Sequence, residues 1–370
     1  MGQFRLRFVF RFLLHPRLGH GCELDSWVLR PKTQQAKGLR PVSWLPWPAV
    51  QKVRAALGSA LKKWCWLFFI VTLACIMFFI TPDLSREALE SKYARQPSQF
   101  ALIDGLRVHY RDTGPRNAPV LVLLHGFGSS LQTWDAWSSV LESKFRVLRM
   151  DLAGFGLTGA SPDDDYSDPA DVQRLERFLN ALGVQEFTLI GHSMGGRIAW
   201  NYASAHPERV KRLVLLAPDG FPTPGQKIGG KPYDVGAIAE VIQFVMPKFL
   251  VRKSLEPAFF NASSVSEELL DRYYELLRAP TVRQAILARM RQTINSDPVE
   301  RLSKITAPTL LLWGEGDAMI PCSNAKDYVK ALVQAHSQVE VLSRASHLLQ
   351  EESPQVALAR VLAFMSEHQQ

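Results

Sequence analysis

Short runs of consecutive apolar residues, separated by stretches of helical periodicity, dominate the chain from about residue 97 onward. Val120 to Leu124 and Leu310 to Trp313 read as buried strands, Phe187 to Ile190 is a further apolar run, and Arg146 to Met150 and Arg212 to Leu216 read as strands beside them. Gln338 to Leu342 alternates as a further strand, and Ala101 to Tyr110 gives a hairpin-like pair around Asp104-Gly105. Between them, Asp168-Pro169 opens a helix in which Val172, Leu175, Phe178, Leu179 and Leu182 form one apolar stripe, and Gly183 ends it. Ser323 to Ala335 is a second amphipathic stretch. Strands alternating with helices predict an α/β fold with a mostly parallel sheet covered on both faces. About ninety residues separate the strand ending at Leu216 from the one starting at Pro308, too many for a simple crossover, so a helical cap insertion is expected over residues 221–295. Within it Ile238, Val241, Ile242, Phe244, Val245, Met246, Phe249 and Leu250 have helical spacing, and Pro257-Ala258-Phe259-Phe260 adds an aromatic cluster. Such a stripe either packs the cap on the core or lines the substrate site.

A different pattern precedes these elements. Residues 64–80, WCWLFFIVTLACIMFFI, form an uncharged apolar run with Lys62-Lys63 before it and Trp64 and Trp66 at its start. At 17 residues it is at the short end of what spans a bilayer, and one transmembrane helix is expected there. A cleavable signal peptide is the rival reading, against which no small-x-small site follows Ile80. The expected organisation is a basic tail over 1–63, an anchor over 64–80 and a catalytic domain over 97–367. If the anchor does not pack on the cap, a chain beginning near Glu90 is expected to keep its activity on small soluble substrates.

Charge fits that organisation. Residues 1–63 hold 12 Lys+Arg and 2 Asp+Glu, a net of +10, whereas the whole chain is +8, which leaves −2 for the rest. The excess is confined to the tail, so a basic nucleic-acid-binding enzyme is not expected, and positive residues staying inside place the domain on the non-cytoplasmic side of a single-pass protein. The segment Phe4 to Leu14 intersperses arginine with apolar residues, as a membrane-surface element, a transit peptide or a disordered tail would. Only Cys322 lies in the catalytic portion, so no disulfide closes within it. The sequence has no HExxH, CxxC or GxxxxGK[ST], and neither metal nor cofactor is expected.

The chemistry gathers at the ends of the apolar runs. Gly191-His192-Ser193-Met194-Gly195 puts a serine between two glycines where a strand turns directly into the helix-like stretch beginning at Arg197. That turn forces strained backbone on the serine and needs neighbours without side chains. Ser193 is the candidate nucleophile. Asp317, in Gly314-Glu315-Gly316-Asp317 after Trp313, is the candidate acid, with Asp219 after Leu216 as runner-up. His347, in Ser343-Arg344-Ala345-Ser346-His347 after the strand ending at Leu342, is the candidate base; His336 and His368 also lie beyond Asp317 but fall on an amphipathic stretch and a polar tail. The strand Val120 to Leu124 runs into His125-Gly126-Phe127-Gly128. Backbone N–H groups of Phe127 and Met194 are the expected oxyanion donors. His125 is expected to bond loop backbone, and the Asp151 to Gly156 loop to be structural.

Taken in order, HGFGSS with Trp134, DLAGFGLTG, GHSMGG, GEGDAMIP and SHLLQEESP resemble the serine-nucleophile α/β-hydrolase superfamily over residues 97–367. Within it the chain is similar to esterases and lipases of monoacylglycerol-lipase type that carry an N-terminal membrane segment. The resemblance implies an α/β-hydrolase fold and two-step acyl transfer: His347 takes the Ser193 proton, Asp317 fixes the imidazole, and water resolves an acyl-enzyme. The expected substrate is a lipid-like carboxylic ester at a membrane. Serine at 193 disfavours the haloalkane dehalogenase and epoxide hydrolase branches, which use aspartate there. Alternatives are carbon–carbon bond hydrolysis of dienoic acids, cofactor-free haloperoxidase chemistry and, with an intact triad against it, a non-catalytic binding protein.

Overall fold

Eight strands form one sheet in the order β1-β2-β4-β3-β5-β6-β7-β8, with β1 Ser98–Ile103, β2 Leu106–Thr113, β3 Val120–Leu124, β4 Arg146–Met150, β5 Phe187–His192, β6 Val210–Leu216, β7 Thr309–Gly314 and β8 Ser337–Leu342. The first two are antiparallel to their neighbours and every pairing from β4 to β8 is parallel. The computed structural model describes residues 47–223, 226–229, 232 and 235–367. The segment from Phe4 to Leu14 and His368 lie outside the described residues. The chain divides into two compact units, Met1–Phe68 and Phe69–Gln370, and the second holds the whole sheet.

Strand alternation sends side chains to two separate cores. Val122, Leu124, Leu148, Leu189, Leu213 and Leu311 face one side with Phe178 and Trp200, whereas Leu121, Leu123, Val147, Ile190, Val214 and Leu310 face the other with Trp137 and Val361. The first core is covered by α4 Asp168–Ala181, α5 Met194–Ala205 and α11 Ala325–Ala331; the second by α3 Asp135–Leu141 and α13 Pro354–Glu367. Burial on both faces explains the unbroken apolar runs of β3, of 213–216 in β6 and of 310–313 in β7. In α4 the Ser167 hydroxyl accepts from Ala170 N, and Gly183, at φ 66°, follows its last turn.

Between β6 and β7 the described residues form α6 Gly236–Val241, α7 Lys248–Leu255, α8 Glu267–Leu277, α9 Val282–Gln292 and α10 Val299–Leu302. The apolar stripe expected as one helix over Ile238 to Leu250 is two: α6 ends at Val241, and α7 begins at Lys248 with Pro247 as its N-cap. The side chain of Ile238 lies outside the described residues. Most of that stripe is not core: Val241, Ile242, Phe244, Phe249 and Leu250 are about half exposed, and Met246 is buried.

The apolar run lies on α1 Trp47–Phe79. Among the described residues, no helix is long and apolar enough to cross a membrane, so the transmembrane helix expected over 64–80 is not found there. Seventeen residues at ~1.5 Å each give about 25 Å, short of a ~30 Å hydrocarbon core. The side chains of 74–79 lie outside the described residues.

The segment after the run bonds to the cap, and a chain beginning near Glu90 lacks those contacts. Thr81 N donates to Phe244 O at 2.7 Å, Met246 N to Thr81 Oγ1 at 3.0 Å, and Leu84 N to Arg278 O at 2.8 Å. Arg283 Nη1 reaches Thr81 O at 2.7 Å, and Leu89, in α2 Arg86–Tyr93, is 2% exposed. A chain beginning at Thr81 is expected to melt with the full-length protein. One beginning at Glu90 loses a buried leucine and these bonds, at least about 3 kcal/mol, and its Tm is expected to be roughly 10 °C lower. Equal melting temperatures for the two truncations would show that the segment adds nothing.

Candidate active site

At the carboxyl end of β5 the backbone reverses within one residue. Ser193 has φ 52° and ψ −118°, a conformation costing about 1–3 kcal/mol for a residue with a side chain. Tight packing sustains it. A Cβ on Gly195 would lie 2.4 Å from His125 O and 2.5 Å from Leu124 O, and one on Gly191 would lie 2.4 Å from Gly195 O. Gly195 lets α5 start directly against the end of β3, and Gly191 lets it turn back tightly on β5. Ser193 N donates to Leu216 O at 2.9 Å, and Ser193 O accepts from Arg197 N and Asp219 N, each at 3.0 Å. The serine therefore sits on a turn fixed from three sides.

His347 is buried, and its Nδ1 lies 2.8 Å from Asp317 Oδ2. The other carboxylate oxygen, Oδ1, accepts from Met319 N at 2.9 Å and Ile320 N at 2.8 Å, so the acid is held on both oxygens with its side chain fully buried. A carboxylate facing Nδ1 puts the proton there and leaves Nε2 as the lone-pair nitrogen. Asp219, the runner-up, faces Arg197 instead, at 3.4 Å from Nη1. His336 is exposed ahead of β8, at the end of the sheet opposite Ser193.

Ser193, His347, Phe127, Met194 and Asp219 line one cleft of about 750 Å³, with Ile198, Met290, Ile294 and Met319 among its apolar walls. Met194 is the first residue of α5, where backbone N–H groups lack intrahelical acceptors. For Phe127 the orienting group is the carbonyl of its own peptide bond. Gly126 O accepts from His125 Nδ1 at 2.7 Å and from Ser129 N at 3.3 Å, and in a trans peptide the Phe127 N–H points the opposite way. His125 also accepts from Leu152 N through Nε2 at 3.0 Å, so it bonds loop backbone. Asp151 anchors the next loop from inside: His109 Nδ1 at 2.7 Å, Leu131 N at 2.7 Å and Leu157 N at 2.8 Å all reach its carboxylate. Burial would raise that carboxyl, but the His109 contact and these bonds hold it below its ordinary value.

One site residue was not anticipated. His192 Nε2 donates to the His347 backbone carbonyl at 2.9 Å, and the two rings lie 4.7 Å apart. A Cβ on Gly126 would lie 2.7 Å from His192 Nδ1, so this side chain touches the oxyanion loop as well as the histidine loop. Its position inside the GHSMG motif was the available signal.

Burial pushes the His125 imidazole below its ordinary value despite nearby Asp151, and pushes His192 well below, with His347 adding to the effect. An unfolded chain takes up these protons from about pH 6.5 downward, ahead of the folded protein. Below that pH the unfolded state binds more protons, so stability falls on acidification by up to about 1.4 kcal/mol per pH unit for each group. Thermal melts at pH 7.5 and 5.5 are expected to give the lower Tm at 5.5; no fall would contradict the assignment.

The chain is similar to epoxide hydrolase 4 of Mus musculus, 29% identical over 282 residues that span 71% of this chain and 77% of that protein. It is also similar to a 2-hydroxy-6-oxononadienedioate/2-hydroxy-6-oxononatrienedioate hydrolase of Paraburkholderia phymatum, 28% identical over 303 residues that span 76% of this chain and 97% of the other. Among solved structures, a membrane phospholipase A described as a bacterial virulence factor superposes with TM-score 0.62 at 24% identity, over 86% of this chain and 99% of that one, a likeness of fold. The family model described as alpha/beta hydrolase fold matches residues 119–354, a span that takes in Ser193, Asp317 and His347. By that match, and by the sheet and elbow described above, the chain belongs to the alpha/beta hydrolase family.

Proposed function

We propose that the protein is a serine hydrolase that cleaves carboxylic esters of neutral, lipid-like alcohols, monoacylglycerols or similar, through an acyl-enzyme on Ser193. The observation that carries the reading is the His347 Nδ1 to Asp317 Oδ2 bond of 2.8 Å beside a serine held at positive φ in the same cleft. His347 Nε2 takes the serine proton as Oγ attacks the acyl carbon. The N–H groups of Phe127 and Met194 receive the developing oxyanion, each donor worth about 3 kcal/mol to the transition state. His347 returns the proton to the leaving alcohol, and water repeats the sequence with His347 again as base.

Charge in the cleft favours neutral substrates. Among the described residues, its arginines are each paired with a carboxylate: Arg197 with Asp168 at 2.7 Å, Arg289 with Asp171 at 2.6 Å and Arg301 with Asp168 at 3.1 Å. A substrate carboxylate entering there would compete with them. The relatives named as dienedioate hydrolases support carbon–carbon bond hydrolysis as the second reading, and those named as epoxide hydrolases support a third, against which stands serine at 193.

Tethering to a lipid surface completes the proposal. The apolar run over 64–80 and the basic residues before it support attachment to a lipid surface, and half-exposed Phe244 and Phe249 lie on the cap segment that Thr81 bonds. A tether raises local substrate concentration without altering the chemistry. The test is labelling by a fluorophosphonate, followed by turnover of short and long acyl esters, a dienoic acid and an aryl epoxide by the full chain. Labelling with turnover of the esters alone is expected. Faster cleavage of the dienoic acid or the epoxide would replace the ester reading, and failure of the full chain to float with phospholipid vesicles would remove the tether.

A further inference from the structure

The cap is joined to the oxyanion loop by a buried chain of hydroxyl groups that ends on one carboxylate. Glu351 Oε1 accepts from Thr133 Oγ1 at 2.6 Å and lies 2.8 Å from Tyr273 Oη, while its other oxygen pairs with Arg272. Thr133 Oγ1 in turn accepts from Gln350 Nε2 at 3.0 Å. Tyr273, on α8, carries its single hydroxyl proton toward the carboxylate, since an ionised carboxylate only accepts. Its oxygen therefore accepts from Ser129 Oγ, which lies 3.1 Å away. Every direction in the chain is fixed: Ser129 to Tyr273 to Glu351.

Ser129 belongs to the loop that carries Phe127. Its own N–H closes the turn on Gly126 O, the carbonyl whose peptide presents the Phe127 N–H. Ser129, Thr133 and Tyr273 are all at most 6% exposed, so water does not substitute for a lost partner at low energy. Glu351 follows His347 by four residues, so the same carboxylate ties the cap to the histidine loop.

We propose that Tyr273 is a positioning residue for the acyl-transfer step: through Ser129 it holds the oxyanion loop in register, and through Glu351 it couples the cap to that loop. The inference rests on the hydrolase reading above for its kinetic part only. The cap keeps other attachments when the Tyr273 hydroxyl is removed. Leu348 N still donates to Ala258 O at 3.0 Å, Ser346 Oγ to Pro257 O at 3.2 Å and Phe260 N to Glu352 Oε1 at 2.5 Å. Tyr273→Phe therefore removes the link rather than the cap.

The experiment compares the full chain with Tyr273→Phe, Ser129→Ala and the double variant, by hydrogen exchange over residues 125–134 and by steady-state kinetics on a soluble butyrate ester. Each single change is expected to speed exchange of the loop amides and to lower kcat about tenfold, as a small misplacement of a reacting group does, with KM within twofold. The double variant is expected to be no worse than either single, because both cut one link. Wild-type exchange in Tyr273→Phe, a rise in KM alone, or multiplied losses in the double variant would each overturn the proposal. If Tyr273→Phe does not fold, Ser129→Ala makes the same cut from the loop side. A wild-type chain inert to fluorophosphonate would overturn the hydrolase reading, and the exchange rates would still decide the coupling.

Discussion

Replacing Ser193 by alanine is expected to lower kcat for any ester by about five to six orders of magnitude while the protein melts within a degree or two of wild type. The size follows from the proposed mechanism, in which the nucleophile acts as one unit with its base: losing it removes the covalent route and leaves only binding and the oxyanion donors. The unchanged stability follows from the geometry of the elbow. Positive φ at 193 is imposed by the approach of Gly195 to the carbonyl oxygens of Leu124 and His125, and alanine keeps the same Cβ in the same strained backbone. The Ser193 backbone bonds to Leu216, Arg197 and Asp219 involve no side-chain atom. Turnover should be followed with a chromogenic butyrate ester and loss of labelling with a fluorophosphonate. A Ser193→Ala protein that retains more than about one per cent of wild-type turnover would require another nucleophile and would remove the acyl-enzyme mechanism.

How far the sequence revealed the molecule depended on the range of the interaction responsible. Strands buried on both faces are mostly apolar, so β3 is readable to the residue, β4 likewise although Arg146 and Arg149 interrupt it, and β5, β6 and β7 to within two residues. The strand-to-helix turn at Ser193 is readable because its glycines have no substitute. The contact between Asp317 and His347 was inferred from strand ends and chain order, both local signals. The cap was legible only as an insertion. Its helical stripe breaks after Val241 and resumes at Lys248, and Val241, Ile242, Phe244, Phe249 and Leu250 face outward while Met246 faces inward, which depends on neighbours distant in sequence. The docking of Thr81 to Leu89 on α8 and α9 was invisible for the same reason. So were His192 against the His347 carbonyl and the Ser129–Tyr273–Glu351 chain: each is a hydrogen bond between residues more than 70 apart with no periodic signature.

Asp317→Asn is expected to lower kcat about 10⁴-fold, whereas Asp219→Asn is expected to lower it no more than about tenfold. An amide at 317 can still accept from Met319 N and Ile320 N through its oxygen, which turns its NH₂ toward His347 Nδ1. The imidazole must then accept at Nδ1 and carry its proton on Nε2. In that tautomer Nε2 is a donor, and it cannot take the Ser193 proton as the proposed mechanism requires. The fold is kept while the base is disabled. Asp219 stands differently: its carboxylate is 3.4 Å from Arg197, which also holds Asp168 through two shorter bonds and Ile294 O through a third. Losing one of these contacts leaves the arginine anchored and the His347 imidazole untouched. The pair of variants should be compared by kcat on the same ester and by the rate of fluorophosphonate labelling, which reports the nucleophilicity of Ser193 directly. Slow labelling of Asp317→Asn beside near-normal labelling of Asp219→Asn would support Asp317 as the orienting acid. The reverse order would assign that role to the carboxylate one strand earlier, and the His347 to Asp317 bond would then have to be remade when substrate binds.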